Sequence, residues 1–177
     1  IMVSRWYIAI VPQVYECIAL TRFTQMLKIQ VPEIKLPHQP WHLTIVPPFE
    51  GAESEAICAF RSLQGLIQPF TARTQGFGYF PEYGCWYLGI EPHPSIISLE
   101  QAARESFSTF KLLPRIEPRV YHVTIANDAD SDDASSLLAV ILSSAEAPLL
   151  ALRFKSVSLF AKAPGIAPTM VETIQLI

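Results

Sequence analysis

Trp41-His42-Leu43-Thr44-Ile45-Val46-Pro47-Pro48-Phe49 decides how the chain is read, because part of it returns as Tyr121-His122-Val123-Thr124-Ile125-Ala126. Successive side chains of a β-strand point to opposite faces, so His42 and Thr44 emerge on one side, Leu43 and Ile45 on the other. The same alternation separates His122 and Thr124 from Val123 and Ile125. Each copy offers an imidazole beside a hydroxyl on one face and anchors itself through apolar residues on the other. A lone histidine in an apolar strand is commonly a satisfied core or edge residue. Two such strands form a constellation.

The motif recurs inside a longer repeat. His122 follows His42 by 122 − 42 = 80 positions, and Trp86-Tyr87-Leu88-Gly89-Ile90-Glu91-Pro92 follows Trp6-Tyr7-Ile8-Ala9-Ile10-Val11-Pro12 by 86 − 6 = 80. Ser156 to Phe160 follows Gly76 to Phe80 at the same offset. Between these matches lie segments of apolar helical spacing: Val14 to Ile29, Glu53 to Ile67, Ser95 to Leu112 and Asp132 to Ala145. Ile57, Phe60, Leu63, Leu66 and Ile67 mark one buried face; Ile97, Ala102, Phe107 and Phe110 mark another. Phe70 to Phe80 reads as a strand, Pro81-Glu82-Tyr83-Gly84 as a turn, and Val171 to Leu176 as the last strand. The unit is strand, helix, His-x-Thr strand, helix, strand, occurring twice, about 1–81 and 82–177, within one domain. Two such halves pack most simply about a pseudo-two-fold axis, which faces His42 and Thr44 toward His122 and Thr124 across a central cleft.

Half of the 177 residues are hydrophobic and 16% are charged, the composition of a folded globular chain. A formal charge of −3 argues against a protein gripping DNA or long RNA through many phosphates, yet leaves room for a pocket holding one or two. Cys17, Cys58 and Cys85 have no metal-ligand spacing and read as reduced thiols of a cytoplasmic protein. No apolar run reaches the roughly 20 residues of a membrane span. Ile1 to Val11 carries Arg5 and Trp6 and reads as a first strand, not as a signal peptide.

Two histidines across a cleft can hold complementary protonation states. The neutral one takes a proton from the nucleophile and the protonated one delivers a proton to the leaving oxygen. Threonine hydroxyls supply neutral donors to non-bridging phosphate oxygens, where charge sits in the transition state. These parts suit phosphoryl transfer without a metal or other cofactor. The acidic run Asp128, Asp130, Asp132, Asp133 reads as a loop and helix N-terminus, not a metal site. Neither a Gly-x-Ser-x-Gly elbow nor a phosphate-cradling glycine loop occurs.

His-Leu-Thr-Ile and His-Val-Thr-Ile resemble the paired signature of the 2H phosphoesterase superfamily, which includes the 2'-5' RNA ligases and cyclic nucleotide phosphodiesterases. Pro-Pro-Phe after the first motif, Gly-Phe-Gly-Tyr-Phe-Pro before the second half and the closing Ile-Gln-Leu are similar too. The resemblance implies a bilobal, duplicated α+β fold with two antiparallel sheets, flanked by helices, lining a cleft. It implies metal-independent opening of a 2',3'-cyclic phosphate, or cleavage of a 2'-5' phosphodiester with ligation as the reverse. His42 would protonate the leaving ribose oxygen, His122 would activate water, and Thr44 and Thr124 would hold the phosphate. The expected partner is a small nucleotide or an RNA terminus, and the expected state a monomer.

Among aromatic residues near the motifs (Trp41, Phe49, Tyr79, Phe80, Tyr121, Phe160), Phe49 and Phe80 are the expected base-stacking positions. Arg119 and Lys162 could add phosphate contacts, a solvated surface charge being the simpler reading of each. His38 and His93 fall in Pro-rich turns and read as loop histidines. Two competing readings are a nucleotide- or RNA-binding module that keeps the cleft without turnover, and an RNA-processing factor within a larger complex. Intact His and Thr in both motifs weigh against the first, and the low basic charge against the second.

Overall fold

Alternation in the first strand sorts the chain into two faces. Trp6, Ile8 and Ile10 enter the main core, whereas Tyr7 and Ala9 join Phe160 in a separate small cluster on the other face. A computed structural model describes residues 4–177; the first three residues of the first repeat, and of the expected first strand, lie outside the described residues. The elements are β1 (Arg5–Pro12), a 3-10 turn (Val14–Cys17), α1 (Ile18–Gln30), β2 (Leu43–Glu50), α2 (Glu53–Arg61), β3 (Phe70–Phe80), β4 (Cys85–Ile90), α3 (Pro94–Ser106), β5 (His122–Asn127), α4 (Asp132–Ser144), β6 (Ala151–Lys162) and β7 (Thr169–Gln175). Among the described residues, no helix is long and apolar enough to cross a membrane.

Local chemistry explains the helix starts. Ser131 caps α4 by accepting from the Ala134 amide, and Asp132 and Asp133 in the first turn complement the helix dipole. Asp132 and Asp133 of the acidic run therefore serve a helix N-terminus, while in the loop before it Asp128 accepts from the Tyr79 hydroxyl and Asp130 pairs with Lys35. Pro94 opens α3, and the His93 ring accepts from the Ser95 amide while stacking on Phe70.

All strand pairs are antiparallel, in the order β1-β2-β5-β4-β3-β6-β7, with β6 also pairing β1. The expected bilobal, duplicated α+β fold is present, with one refinement. The expected pair of sheets is hydrogen-bonded into a single seven-stranded sheet. The joins are short: Leu43↔Val123 between β2 and β5, and Phe70 to Arg73 against Phe154 to Ala151 between β3 and β6. Both joins sit on the pseudo-axis. Leu43 pairs with its own repeat equivalent, 123 − 43 = 80, and so does Ala72 with Leu152, 152 − 72 = 80.

The repeat is broken in one strand. Ile8 pairs with Val46 and Ala9 with Thr44; Trp86 pairs with Ala126 and Tyr87 with Thr124. Tyr87 therefore occupies the place of Ala9, not of Tyr7, and β4 is matched to β1 at 87 − 9 = 78. Gly78 pairs with Tyr87 where Ser158 pairs with Ala9, and a side chain on Gly78 would collide with the Tyr87 ring. The large residue on β4 is thus matched by the absent one on β3.

Helix faces depart from expectation where the apolar runs outlast the helices. Helix α2 ends at Arg61, leaving Leu66 55% exposed. In α1 the buried face is Leu20, Thr24 and Leu27, with Ile18 and Met26 exposed, as is Val14 in the 3-10 turn before it. In α3 the buried stripe is Ile96, Leu99, Glu100 and Ala103, one position off Ile97, which is exposed; Phe107 is buried and Ala102 and Phe110 are half-buried.

Candidate active site

The two motifs have the same burial pattern. Trp41, Leu43, Ile45 and Val46 are buried with His42 and Thr44 half-exposed; Tyr121, Val123, Ile125 and Ala126 are buried with His122 and Thr124 half-exposed. Each motif strand carries a register shift just past its threonine, between Thr44 and Val46 and between Thr124 and Ala126. Such bulges let two consecutive apolar residues face the core while the preceding polar pair stays on the other side. Around the single Leu43↔Val123 pair the antiparallel register sets His42 toward Thr124 and Thr44 toward His122. The four expected residues are brought together.

Both imidazoles are held alike. His42 donates from Nδ1 to the Pro40 carbonyl and His122 from Nδ1 to the Val120 carbonyl, each at 3.0 Å. A carbonyl only accepts, so Nδ1 carries the hydrogen and Nε2 remains available to take or give a proton. Burial lowers the proton affinity of His42; the Pro40 carbonyl opposes this and the Lys162 ammonium adds to it. Burial likewise lowers that of His122, opposed by the Val120 carbonyl and reinforced by Arg119 and by His42 itself. Each ring is therefore biased to the neutral state until an anion enters.

Aromatic walls stand beside each histidine. Tyr7 stacks on Phe160 with centroids 4.9 Å apart, and these rings lie 5.6 and 5.9 Å from His42. Phe80 stacks on Tyr87 at 4.4 Å, and they lie 5.0 and 5.3 Å from His122. Phe80 is thus where the sequence puts it. Phe49 is not: it is 2% exposed, paired with Trp6 and packed edge-on against Phe107 and Phe110 in the main core. The irregular register of β2 returns it to the core face, so no base can reach it. Tyr7 and Tyr87 were missed as wall residues, although the alternation with Trp6, Ile8, Trp86 and Leu88 signals both. Burial pushes the Tyr7 phenol up to about 12, keeping its hydroxyl protonated. Cys85 is buried beside Thr124, with Sγ and Oγ1 3.5 Å apart, and burial raises its thiol.

Arg119 is not a solvated surface charge. Its guanidinium donates to the buried Glu100 carboxylate at 2.8 Å and to the Thr44 carbonyl at 3.0 Å, and lies 5.1 Å over the Tyr121 ring. Glu100 also pairs with Arg115 at 2.7 Å. This brace runs from a helix of the second repeat to the motif strand of the first. A glutamate within the Ile96-Leu99-Ala103 stripe is the signal that could have revealed it. Lys162 is exposed near His42, and His38 is exposed close by. Among the described residues no three His, Cys, Asp or Glu side chains gather as a metal centre would require.

No curated protein matches the chain in sequence. Solved structures do match its fold. Escherichia coli LigT in apo form has a TM-score of 0.71 at 16% identity over 99% of both chains. LigT complexed with 3'-AMP has 0.70 at 17% identity, again over 99% of both. Usb1 of Kluyveromyces marxianus is more distant, 0.53 at 12% identity over 98% of both chains. Residues 21–164 match the family model described as the 2'-5' RNA ligase superfamily, well over half of the chain and inclusive of both His-x-Thr motifs. The chain therefore belongs to the 2'-5' RNA ligase superfamily, the 2H phosphoesterases.

Proposed function

We propose that the protein opens a 2',3'-cyclic phosphate, or cleaves a 2'-5' phosphodiester, at a small nucleotide or RNA end, with its own histidines as acid and base and no metal. The observation that carries this reading is the Leu43↔Val123 pairing, which sets each histidine toward the other repeat's threonine. A phosphate seated there meets an Nε2 from each repeat and a hydroxyl from each repeat. His122 takes a proton from water as its oxygen attacks phosphorus. The bond from phosphorus to one ribose oxygen breaks, and His42 delivers its proton to that oxygen. The product is a phosphomonoester with a free hydroxyl next to it. A 5'-hydroxyl attacking in the place of water, with its proton passing to His122 and the 3'-oxygen leaving with the proton of His42, gives a 2'-5' phosphodiester instead, which is ligation.

Electrostatics supports the cycle. Both rings favour the neutral form, as the base requires. An anionic phosphate beside His42 favours its protonation, so substrate binding itself charges the acid. Thr44 and Thr124 donate to the non-bridging oxygens, with Cys85 steadying the Thr124 hydroxyl. LigT structures with 3'-AMP, ATP and NADP+ support a nucleotide as the ligand class.

Incubation of nucleoside 2',3'-cyclic phosphates with the protein in EDTA, with 2'- and 3'-phosphate products resolved, tests the proposal. Turnover to one product isomer, undiminished by chelator, is expected. Inert cyclic phosphates and 2'-5' dinucleotides, or activity that returns only with a divalent metal, would contradict it.

A further inference from the structure

Around a pseudo-two-fold axis, a departure from symmetry marks what distinguishes the two ends of a substrate, and here the departure is in charge. Arg5 and Lys162 are register partners across β1 and β6, two residues outward from the partners Tyr7 and Phe160. Strand alternation puts all four side chains on the face that carries His42. With His38 and the Pro164–Pro168 part of the β6–β7 turn, Arg5 and Lys162 line a depression of about 390 Å³. That lies within the span of small-ligand sites, roughly 300–1,000 Å³. At the offsets established above, the corresponding positions of the β3–β4 pair beside His122 are Tyr83 for Arg5 and Glu82 for Lys162, so the basic rim exists on the His42 side alone.

The charges are available. Lys162 forms no ion pair among the described residues. Arg5 meets Glu50 at 3.3 Å, but both side chains are more than half exposed, at 59% and 56%. An exposed pair of this kind holds its partners weakly, so a phosphate can recruit the guanidinium. Two residues along a strand span about 7 Å, so the basic rim lies about that far beyond the Tyr7–Phe160 wall, whose rings are 5.6 and 5.9 Å from His42. The chain as a whole is acidic, with a formal charge of −3, so the basin suits one further phosphate and not a long backbone.

We infer that this depression binds a phosphate on the 5'-oxygen of the nucleoside whose 2',3'-cyclic phosphate is opened, an assignment that rests on the phosphoesterase reading above. The guanidinium and the ammonium contact its oxygens, and the nucleoside lies between them and the histidines. The substrate is then a 5'-phosphorylated nucleotide or an oligonucleotide end, not a simple cyclic mononucleotide.

The test compares three substrates: a nucleoside 2',3'-cyclic phosphate with a free 5'-hydroxyl, the same with a 5'-monophosphate, and a dinucleotide ending in the cyclic phosphate. Each is assayed with the unmodified protein and with an Arg5→Gln, Lys162→Gln double variant, whose exposed positions leave the core intact. A charge-assisted contact predicts kcat/KM higher by on the order of tenfold when the 5'-phosphate is present, mostly through KM, and loss of that advantage in the double variant. Preference for the dinucleotide identifies a phosphodiester in the basin; equal preference for the monophosphate identifies a terminal phosphate. No advantage in the unmodified protein, or an advantage that survives the double variant, overturns the assignment. If none of the three is hydrolysed, the phosphoesterase reading fails separately. Dissociation constants for the same ligands by calorimetry then decide the basin by the same ratios.

Discussion

Leu43 and Val123, equivalent residues of the two repeats, are opposite each other where β2 meets β5. Their pairing fixes the pseudo-axis within the site: His42, Thr44, His122 and Thr124 are the immediate neighbours of the pair on the other face. The second self-equivalent pair, Ala72↔Leu152, holds the axis at the far join of the sheet. A site built this way depends on its wall and its brace as much as on the four polar residues.

Phe80 and Phe49 should separate stability from chemistry. Phe49→Ala empties a core position and is expected to cost about 3–5 kcal/mol in denaturant unfolding, with kcat little changed in the fraction that folds. Phe80→Ala removes a half-buried ring 5.0 Å from His122, and should cost far less stability while impairing turnover. Equal effects of both on KM would mean that Phe49 does reach the ligand.

Arg119→Leu should act on both stability and the site. It leaves the buried Glu100 with Arg115 as its one ion-pair partner beside the Tyr121 hydroxyl and frees the Thr44 carbonyl, and breaking a buried pair from one side costs about 3 kcal/mol. A Glu100→Gln, Arg119→Leu double variant should recover part of the stability but not the turnover, because Thr44 stays unbraced. Full recovery of turnover would remove the brace from the mechanism.

Acidification should destabilise the fold through the two histidines. Their folded-state proton affinities lie below the ordinary 6.5, so above that value both are neutral, folded or unfolded. As pH falls through 6.5 the unfolded chain takes up protons first, and stability is lost until the folded-state values are passed. Thermal midpoints measured from pH 7 to 5.5 should fall, and should fall less for a His42→Gln, His122→Gln variant. An identical slope in the variant would assign the loss to other groups.

Much of the site was legible because a strand has a period of two and the motif occurs twice: His-x-Thr sorts itself onto one face without any knowledge of the fold. The repeat of 80 was equally visible, and it predicts the axis through Leu43 and Val123. Register was not visible. Sequence similarity aligns Tyr87 with Tyr7, whereas hydrogen bonding puts it opposite Thr124 where Ala9 stands opposite Thr44, because bulges and turns absorb residues that similarity cannot count. Phe49 failed for the same reason, β2 having shifted register before reaching it. Glu100 and Arg119 escaped because a buried ion pair joins two segments that no local pattern connects.

Turnover of a nucleoside 2',3'-cyclic phosphate in EDTA by the unmodified protein, His42→Ala, His122→Ala and the double variant tests the paired-histidine mechanism most directly. An acid and a base acting in one step predict that each single variant loses roughly 10²–10⁴-fold in kcat. The double variant should be hardly worse than the poorer single one, since groups that act as a unit are not additive. Single variants that keep near-normal turnover, or losses that simply multiply in the double variant, would contradict it.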